Sequence, residues 1–414
     1  MKFLVFGLVC LGLALAEEPF HYDGYKVYQI VPRTEEEAYY LKALTEEPGF
    51  DFWAYPRALN ATVTVMVPPD VQVGFENDLE AKNMHFEVLI NDVESTIRDE
   101  DTRQRMSRSA ARGSVSFTYY MRYNEIVSYL TTIADTYPSI ARLIVIGHSY
   151  EGRAIVALRI SRGTGSNRPE ILVDAGIHAR EWIAPPVALY LINQLVENTA
   201  NAYLSQDVDW VIIPSLNPDG YEYTHTNTRL WRKTRTPNTL CYGVDPNRNF
   251  DYYWMVAGAS SSQCSEIYAG PRAFSESETQ ALRDYLHANS QRIKLYLTFH
   301  SYGNYLLYPW GYTSALPANN EELYALGVRV NDAIRAVAGT TYSIGTSTNL
   351  LYAAAGGSDD YAKGAAGVEL AYCIELPGGG NVGFNPPATS IWPIVQETWE
   401  GIKAYHDYIR DKYA

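Results

Sequence analysis

From residue 113 to the end of the chain, apolar runs of strand length take turns with longer runs of helical period, and no other feature constrains the fold as much. Arg142–Ile146, Ile155–Ile160, Glu170–Ala175, Asp209–Ser215, Lys294–Phe299, Tyr305–Tyr308 and Val368–Leu376 read as strands. Asn124–Tyr137, Ala184–Asn198, Ser275–Asn289, Glu321–Val337 and Ile391–Ile409 read as helices. Alternation of this kind predicts an α/β sheet with helices on both faces. Ser275-Glu276-Ser277-Glu278 predicts a capping box at one helix start. The sequence has no internal repeat and no low-complexity tract.

The stretch before residue 113 has a different character. Residues 17–112 hold 19 acidic and 10 basic residues. Short strand runs (Lys26–Val31, Ala61–Val67, His85–Ile90) alternate with helical ones (Thr34–Leu44, Val71–Asn83), which predicts a small antiparallel α+β module. It carries the sequon Asn60-Ala61-Thr62. The stretch ends in a basic run, Arg98, Arg103, Arg105, Arg108 and Arg112, interspersed with Ser, Gln, Ala and Gly. Such a run reads as an exposed segment open to a trypsin-like protease, or equally as a solvated helix end with a linker. Ahead of the module, Met1–Ala16 has one Lys, the apolar run Phe3–Leu15 and a small-residue end, the pattern of a secretory signal peptide. The run is too short to span a membrane, so the expectation is a soluble, secreted, extracellular protein.

Secretion permits disulfides. Of the four cysteines, Cys10 leaves with the signal, and Cys373 sits in an apolar run where a buried free thiol is usual. Cys241 and Cys264 lie in a polar, loop-like stretch and are expected to pair, worth about 3 kcal/mol. A content of 47% hydrophobic and 19% charged residues excludes a disordered chain, and a net charge of -14 makes nucleic acid a poor partner.

The chemistry falls where predicted strands end. Ile171–Ala175 is followed by Gly176-Ile177-His178-Ala179-Arg180-Glu181-Trp182, and Leu295–Phe299 runs into His300-Ser301-Tyr302. An H-x-x-E pair with a distant His is the donor set of catalytic zinc sites. By spacing alone, His178 reads first as a capped turn histidine with Glu181 in a surface ion pair, and His300 reads equally as a satisfied core histidine. His148, His225, His287 and His406 lack comparable context and read as structural. Gly147-His148-Ser149-Tyr150-Glu151 approaches a serine-hydrolase elbow but has Glu151 where glycine is needed.

These stretches, together with Leu230–Arg235, Gly243-Val244-Asp245-Pro246-Asn247-Arg248-Asn249-Phe250 and the segment from Tyr352 through Gly356-Gly357-Ser358-Asp359-Asp360, resemble the zinc metallocarboxypeptidases of the A/B group over essentially the whole chain. The resemblance implies a signal (1–16), an inhibitory prodomain (17–112) and a catalytic domain (113–414) with a mixed eight-stranded sheet flanked by helices. It also implies one zinc ion per chain, held by His178, Glu181 and His300, with Asp245 orienting His178. Glu375 matches the general base and Arg232 the oxyanion stabiliser, while Asn247 and Arg248 match the clamp on the substrate's terminal carboxylate. Tyr352 would close over the substrate, with Arg180, Ser301 and Tyr302 lining further subsites. The pocket base matches Asp359, with Asp360 one residue away, and Ser347 reads as a wall. An Asp there implies a B-type preference for C-terminal Lys and Arg; an A-type, apolar preference and a non-catalytic binding protein are the alternatives. Expected partners are peptide C-termini, a trypsin-like activating protease cutting after Arg112 or Arg108, and protein inhibitors, with a monomer the default and digestion the expected setting.

Overall fold

The computed structural model describes residues 18–45, 47, 49–110, 115–165 and 167–414. The signal-peptide stretch and Arg112 lie outside the described residues.

The N-terminal module runs β1 (Lys26–Ile30), α1 (Glu35–Leu44), β2 (Asp51–Ala54), β3 (Val63–Val67), α2 (Pro69–Ala81), β4 (Phe86–Ile90) and α3 (Val93–Ala110). Its strands form an antiparallel sheet in the order β2-β3-β1-β4. The expected strands and helices are present within a few residues, and β2 and α3 are additions. Thr34 caps α1 by accepting from the Glu37 amide at 3.2 Å. The basic run is therefore not an open linker as far as Ala110. It rides on α3, whose buried stripe Val93, Ile97, Glu100 and Gln104 faces the main domain. The Ala388 amide donates to Glu100 at 3.2 Å, and Asn385 Nδ2 donates to the Thr96 carbonyl at 2.9 Å.

The main domain continues with α4 (Tyr123–Thr136), β5 (Ala141–His148), β6 (Ala154–Ile160), β7 (Glu170–Ala175), α5 (Ala184–Val196), β8 (Asp209–Ile213) and α6 (Pro218–Thr226). Then come α7 (Ser277–Asn289), β9 (Ile293–Ser301), β10 (Tyr305–Tyr308), α8 (Asn320–Ala338), β11 (Ser343–Thr346), α9 (Ser347–Leu350), α10 (Ser358–Gly364), β12 (Leu370–Leu376) and α11 (Ile391–Tyr413). The eight strands are ordered β11-β10-β12-β9-β7-β8-β6-β5. The four central ones, β12, β9, β7 and β8, are mutually parallel.

Parallel strands covered on both sides are apolar at most positions, and here successive side chains go to different cores, with buried Asp174 of β7 accepting from Thr298 of β9 at 2.9 Å. Ile171 and Val173 of β7, Trp210 and Ile212 of β8 and Leu295 and Leu297 of β9 join the core under α4, α5, α8 and α11. Leu172, Val211, Ile213 and Tyr296 join the second core, under α7 and α10. A fully buried side chain of this kind contributes about 1.5–3 kcal/mol.

The predicted capping box on α7 does not form. Glu276 is the N-cap without a side-chain cap bond. Its carboxylate instead accepts from Thr234 and Thr236 at 2.6 and 2.7 Å, while Ser275 Oγ serves Asn249 at 2.9 Å. Cys241 and Cys264 are joined, Cα atoms 5.1 Å apart, and Cys373 is buried and free, both as expected.

Candidate active site

Three parallel strands deliver the candidate residues to one end of the sheet, outside the carboxyl ends where open α/β sheets bind ligands. After β7 the chain turns at Gly176, whose φ of 66° suits glycine, and presents His178 and Glu181. The carboxyl end of β9 holds His300, and β12 sets Glu375 beside it in parallel register. His178 Nδ1 lies 2.8 Å from Glu181 Oε1, His300 Nδ1 lies 3.1 Å from Glu181 Oε2, and the two Nδ1 atoms are 3.1 Å apart. All three side chains are buried.

This donor set fits zinc. Two imidazole nitrogens and a carboxylate close on one point, and the outer Nε2 of His178 is committed to Asp245 Oδ1 at 3.1 Å, which leaves Nδ1 with its lone pair. Burial opposes a charge on Asp245, yet Arg232, His178 and Arg248 hold its carboxyl well below the ordinary range. Arg232 reaches Asp245 Oδ2 through Nε and Nη2 at 3.2 and 2.9 Å and stands 3.8 Å from Glu181. Its guanidinium thus sits against the three-donor cluster. Glu375 Oε2 has no partner among the described residues; burial first, helped by the Glu181 charge and opposed by His300, pushes this carboxyl up to about 8.

A cleft of about 400 Å³ opens above these groups and is lined also by Asn247, Arg248, Ser301, Tyr302, Ser347, Tyr352 and Asp359. Every carboxylate, imidazole and guanidinium expected in the site is thus in one cavity except Asp245, which stands behind His178. Backbone carbonyls fix Arg248: Gly258 accepts from Nε at 2.7 Å and Asn247 from Nη1 at 2.9 Å. Asn247 Oδ1 accepts from the Ser358 amide at 2.9 Å, at the start of α10. The Ser301 amide donates to Glu181 Oε2 at 3.2 Å. The adjacent aspartates separate cleanly. Asp360 accepts from the amides of Gly311 and Tyr312 at 2.9 and 3.0 Å, whereas Asp359 faces the cleft with Oδ2 unpartnered, its carboxyl raised chiefly by burial.

The N-terminal module fills the mouth of the cleft, which sequence reasoning had not located in residue terms. Arg180 Nη1 donates to Asp51 Oδ2 at 2.6 Å and lies over the Phe384 ring at 4.2 Å. Trp53 packs on Phe384 with centroids 5.3 Å apart, and Tyr55 on Tyr352 at 5.1 Å. A Cβ at Gly383 would come within 2.0 Å of the Trp53 ring, so glycine lets the indole seat. The aromatic run Phe52-Trp53-Ala54-Tyr55 between Gly49 and Pro56 was the available signal for β2.

Fold, donor set and blocked cleft together define a metal-dependent hydrolase preceded by a covering module. The family pattern "Zinc carboxypeptidase" matches residues 126–401, and "Carboxypeptidase activation peptide" matches residues 28–100. The chain belongs to the zinc carboxypeptidases and is a zymogen carrying their activation peptide. It is 48% identical to a carboxypeptidase B of Astacus astacus over 72% of this chain and 100% of that one. It is 40% identical to a carboxypeptidase B of Helicoverpa zea over 97% of each. The crystal structure of a carboxypeptidase A from Helicoverpa armigera superposes with a TM-score of 0.89 at 33% identity, covering 94% of this chain and 98% of that one. Among the described residues no helix is long and apolar enough to cross a membrane.

Proposed function

We propose that this zymogen yields an exopeptidase that removes Lys and Arg from the C-termini of peptides in extracellular digestion. The observation that carries the basic preference is the Asp359 carboxylate, buried at the cleft wall with one oxygen unpartnered. A buried carboxylate without a counter-charge is costly, and an incoming ammonium or guanidinium supplies one.

In this reading His178, Glu181 and His300 hold the zinc and Asp245 fixes the His178 ring. When bound, zinc polarises the scissile carbonyl and acidifies water. Glu375, kept basic by its surroundings, takes the proton of the attacking water and returns it to the leaving amine. Arg232 donates to the oxygen on which negative charge develops. The Arg248 fork, with Asn247, receives the substrate's terminal carboxylate, which restricts cleavage to chain ends. Tyr352 closes over the bound residue, while Arg180, Ser301 and Tyr302 bind the preceding ones.

The reading also takes residues 1–16 as a removed signal, 17–112 as the activation segment and 113–414 as the enzyme, working as a monomer and open to protein inhibitors once uncovered. Activation follows tryptic cleavage after Arg112 or Arg108. Arg108 is half-buried, donating to the Tyr120 carbonyl at 3.1 Å with Glu125 at 3.5 Å, which supports Arg112 as the first cut. The test is release of C-terminal Lys, Arg, Phe and Leu from matched peptides by trypsin-treated protein, with and without a zinc chelator. Chelator-sensitive release of Lys and Arg is expected. Release of Phe or Leu instead means an A-type pocket, and no release from zinc-loaded, cleaved protein overturns the catalytic reading.

A further inference from the structure

We propose that α3 and the main domain together build a binding site for a small tetrahedral oxyanion, sulfate or inorganic phosphate, which exists only while α3 is attached. A cavity of about 200 Å³ lies between them, away from the catalytic cleft. Asp101, Arg105 and Arg108 contribute from α3, and Arg122, Trp182 and His225 from the main domain. At about 30 Å³ per water, the space suffices for a five-atom anion and some solvent.

Three residues that line this cavity each carry a buried nitrogen, Arg108 Nε, Arg122 Nε and His225 Nε2, with no hydrogen-bond partner among the described residues. Leaving such groups unmade is costly, and all three can donate, the imidazole in its Nε2–H tautomer. An acceptor with several oxygens, bound in the cavity, is the simplest partner for donor groups drawn from both α3 and the main domain. The charge balance points the same way. Three guanidiniums line the cavity against one carboxylate, Asp101. Arg122 pairs with Glu222 and Arg108 with Glu125, so part of their charge is answered. Arg105 donates Nε to the Asp101 carbonyl at 3.3 Å and joins no ion pair among the described residues.

The surroundings strengthen any charge interaction there. His225 stacks on the buried Trp182 with centroids 4.1 Å apart, and Arg229 lies over the same indole at 3.6 Å. Burial first, then Arg229, Arg108 and Arg122, hold the His225 imidazole well below its ordinary pKa. The charged groups acting on that ring are all arginines. An anion placed among them relieves their mutual repulsion while joining α3 to the main domain.

The test is calorimetric titration of the uncleaved protein with sodium sulfate, and separately with phosphate, at millimolar concentration and fixed ionic strength. Sulfate stabilises proteins generally by exclusion from their surface, but that effect does not saturate in this range. The expected result is saturable binding of one anion per chain. Arg105→Gln, at an exposed helix position, should weaken it about tenfold, the loss of one charge-assisted contact. His225→Phe keeps the ring on Trp182 while removing the donor, and should weaken binding as well. Protein from which α3 has been cleaved and removed should not bind. Absence of saturable binding to the uncleaved protein, unchanged affinity in Arg105→Gln, or equal affinity after α3 is removed would each overturn the proposal. None of these readings depends on peptidase activity.

Discussion

Replacing Asp359 by Asn removes one charge from the cleft and leaves the shape almost unchanged, so it isolates what that charge does for specificity. In the uncleaved protein the Asp359 side chain is nearly solvent-free and its Oδ2 meets no donor among the described residues. A guanidinium or ammonium seated about 3 Å away gains roughly 5 kcal/mol of attraction at an effective dielectric of about 20. Desolvating that cation consumes part of the gain, and removing one side of such a pair costs about 2–4 kcal/mol. In kcat/KM this is a loss of roughly 30- to 1000-fold. The loss should fall on peptides ending in Arg and Lys, and spare those ending in Phe or Leu, because nothing else in the cleft has changed. The assay compares kcat/KM for four matched peptides between activated wild-type and Asp359→Asn enzyme of equal zinc content. If the Arg-to-Phe ratio stays within about threefold of wild type, the charge does not set specificity and the pocket assignment is wrong.

Three further outcomes follow from the same geometry. Glu375→Gln should retain zinc by metal analysis while turnover falls by about 10²–10⁴; undiminished hydrolysis would remove Glu375 from the proton-transfer role. Asp51→Asn strands the buried Arg180 guanidinium, a loss of about 3 kcal/mol or more, so the uncleaved protein should hydrolyse small peptides at least about tenfold faster. The activated enzyme, freed of Asp51, should be unchanged, and an unaltered basal rate in the uncleaved variant would count against the plug. Burial pushes Glu278 from an ordinary 4.5 up to about 8. The folded chain then holds an extra proton between those values, so this group makes stability fall as pH rises from 4.5 towards 8. Glu278→Gln should therefore melt about 3 °C or more above wild type at pH 8 and close to it at pH 4; a difference independent of pH would refute the linkage.

The parts legible in the sequence were those carried by local pattern. The central strands alternate between two cores, so their runs are mostly apolar and stand out. His178, Glu181, His300 and Glu375 lie at or within a few positions of strand ends, whereas Arg232, Asp245, Asn247, Arg248 and Asp359 lie in connecting segments or on α10 and stand out only through the family resemblance. The parts that escaped depend on partners distant in the chain. The buried stripe of α3 includes Glu100 and Gln104, which bond to the Ala388 and Tyr120 amides; two polar residues on the inner face conceal the helix from a hydrophobic-period reading. Strand β2 opens on Asp51, and β11 has Ile344 as its one large apolar residue beside Gly345, so neither shows the apolar run that marks the equally short β10. The capping box failed because α7 starts one residue later than the Ser275–Glu278 box requires, with Glu276 at the N-cap, and Ser275 Oγ accepts from Asn249 instead. Asp359 and Asp360 were separable only once the amides of Gly311 and Tyr312 were seen to take the second of them.

Orphaned carboxylate oxygens show where the protein departs from the rule that buried polar groups are satisfied. Glu278 Oε1, Glu375 Oε2 and Asp359 Oδ2 are all of this kind. Glu278 shows that an orphaned, proton-holding carboxylate is not by itself a functional site, since it sits on α7 and is not among the residues that line the cleft. Glu375 and Asp359 differ from it in facing the same cleft. The remaining cleft carboxylate, Glu181, has both oxygens engaged, with His178, His300 and the Ser301 amide. In the proposed reading, the unmatched oxygen of Glu375 beside the three donors serves to move a proton, and that of Asp359 to hold a cation.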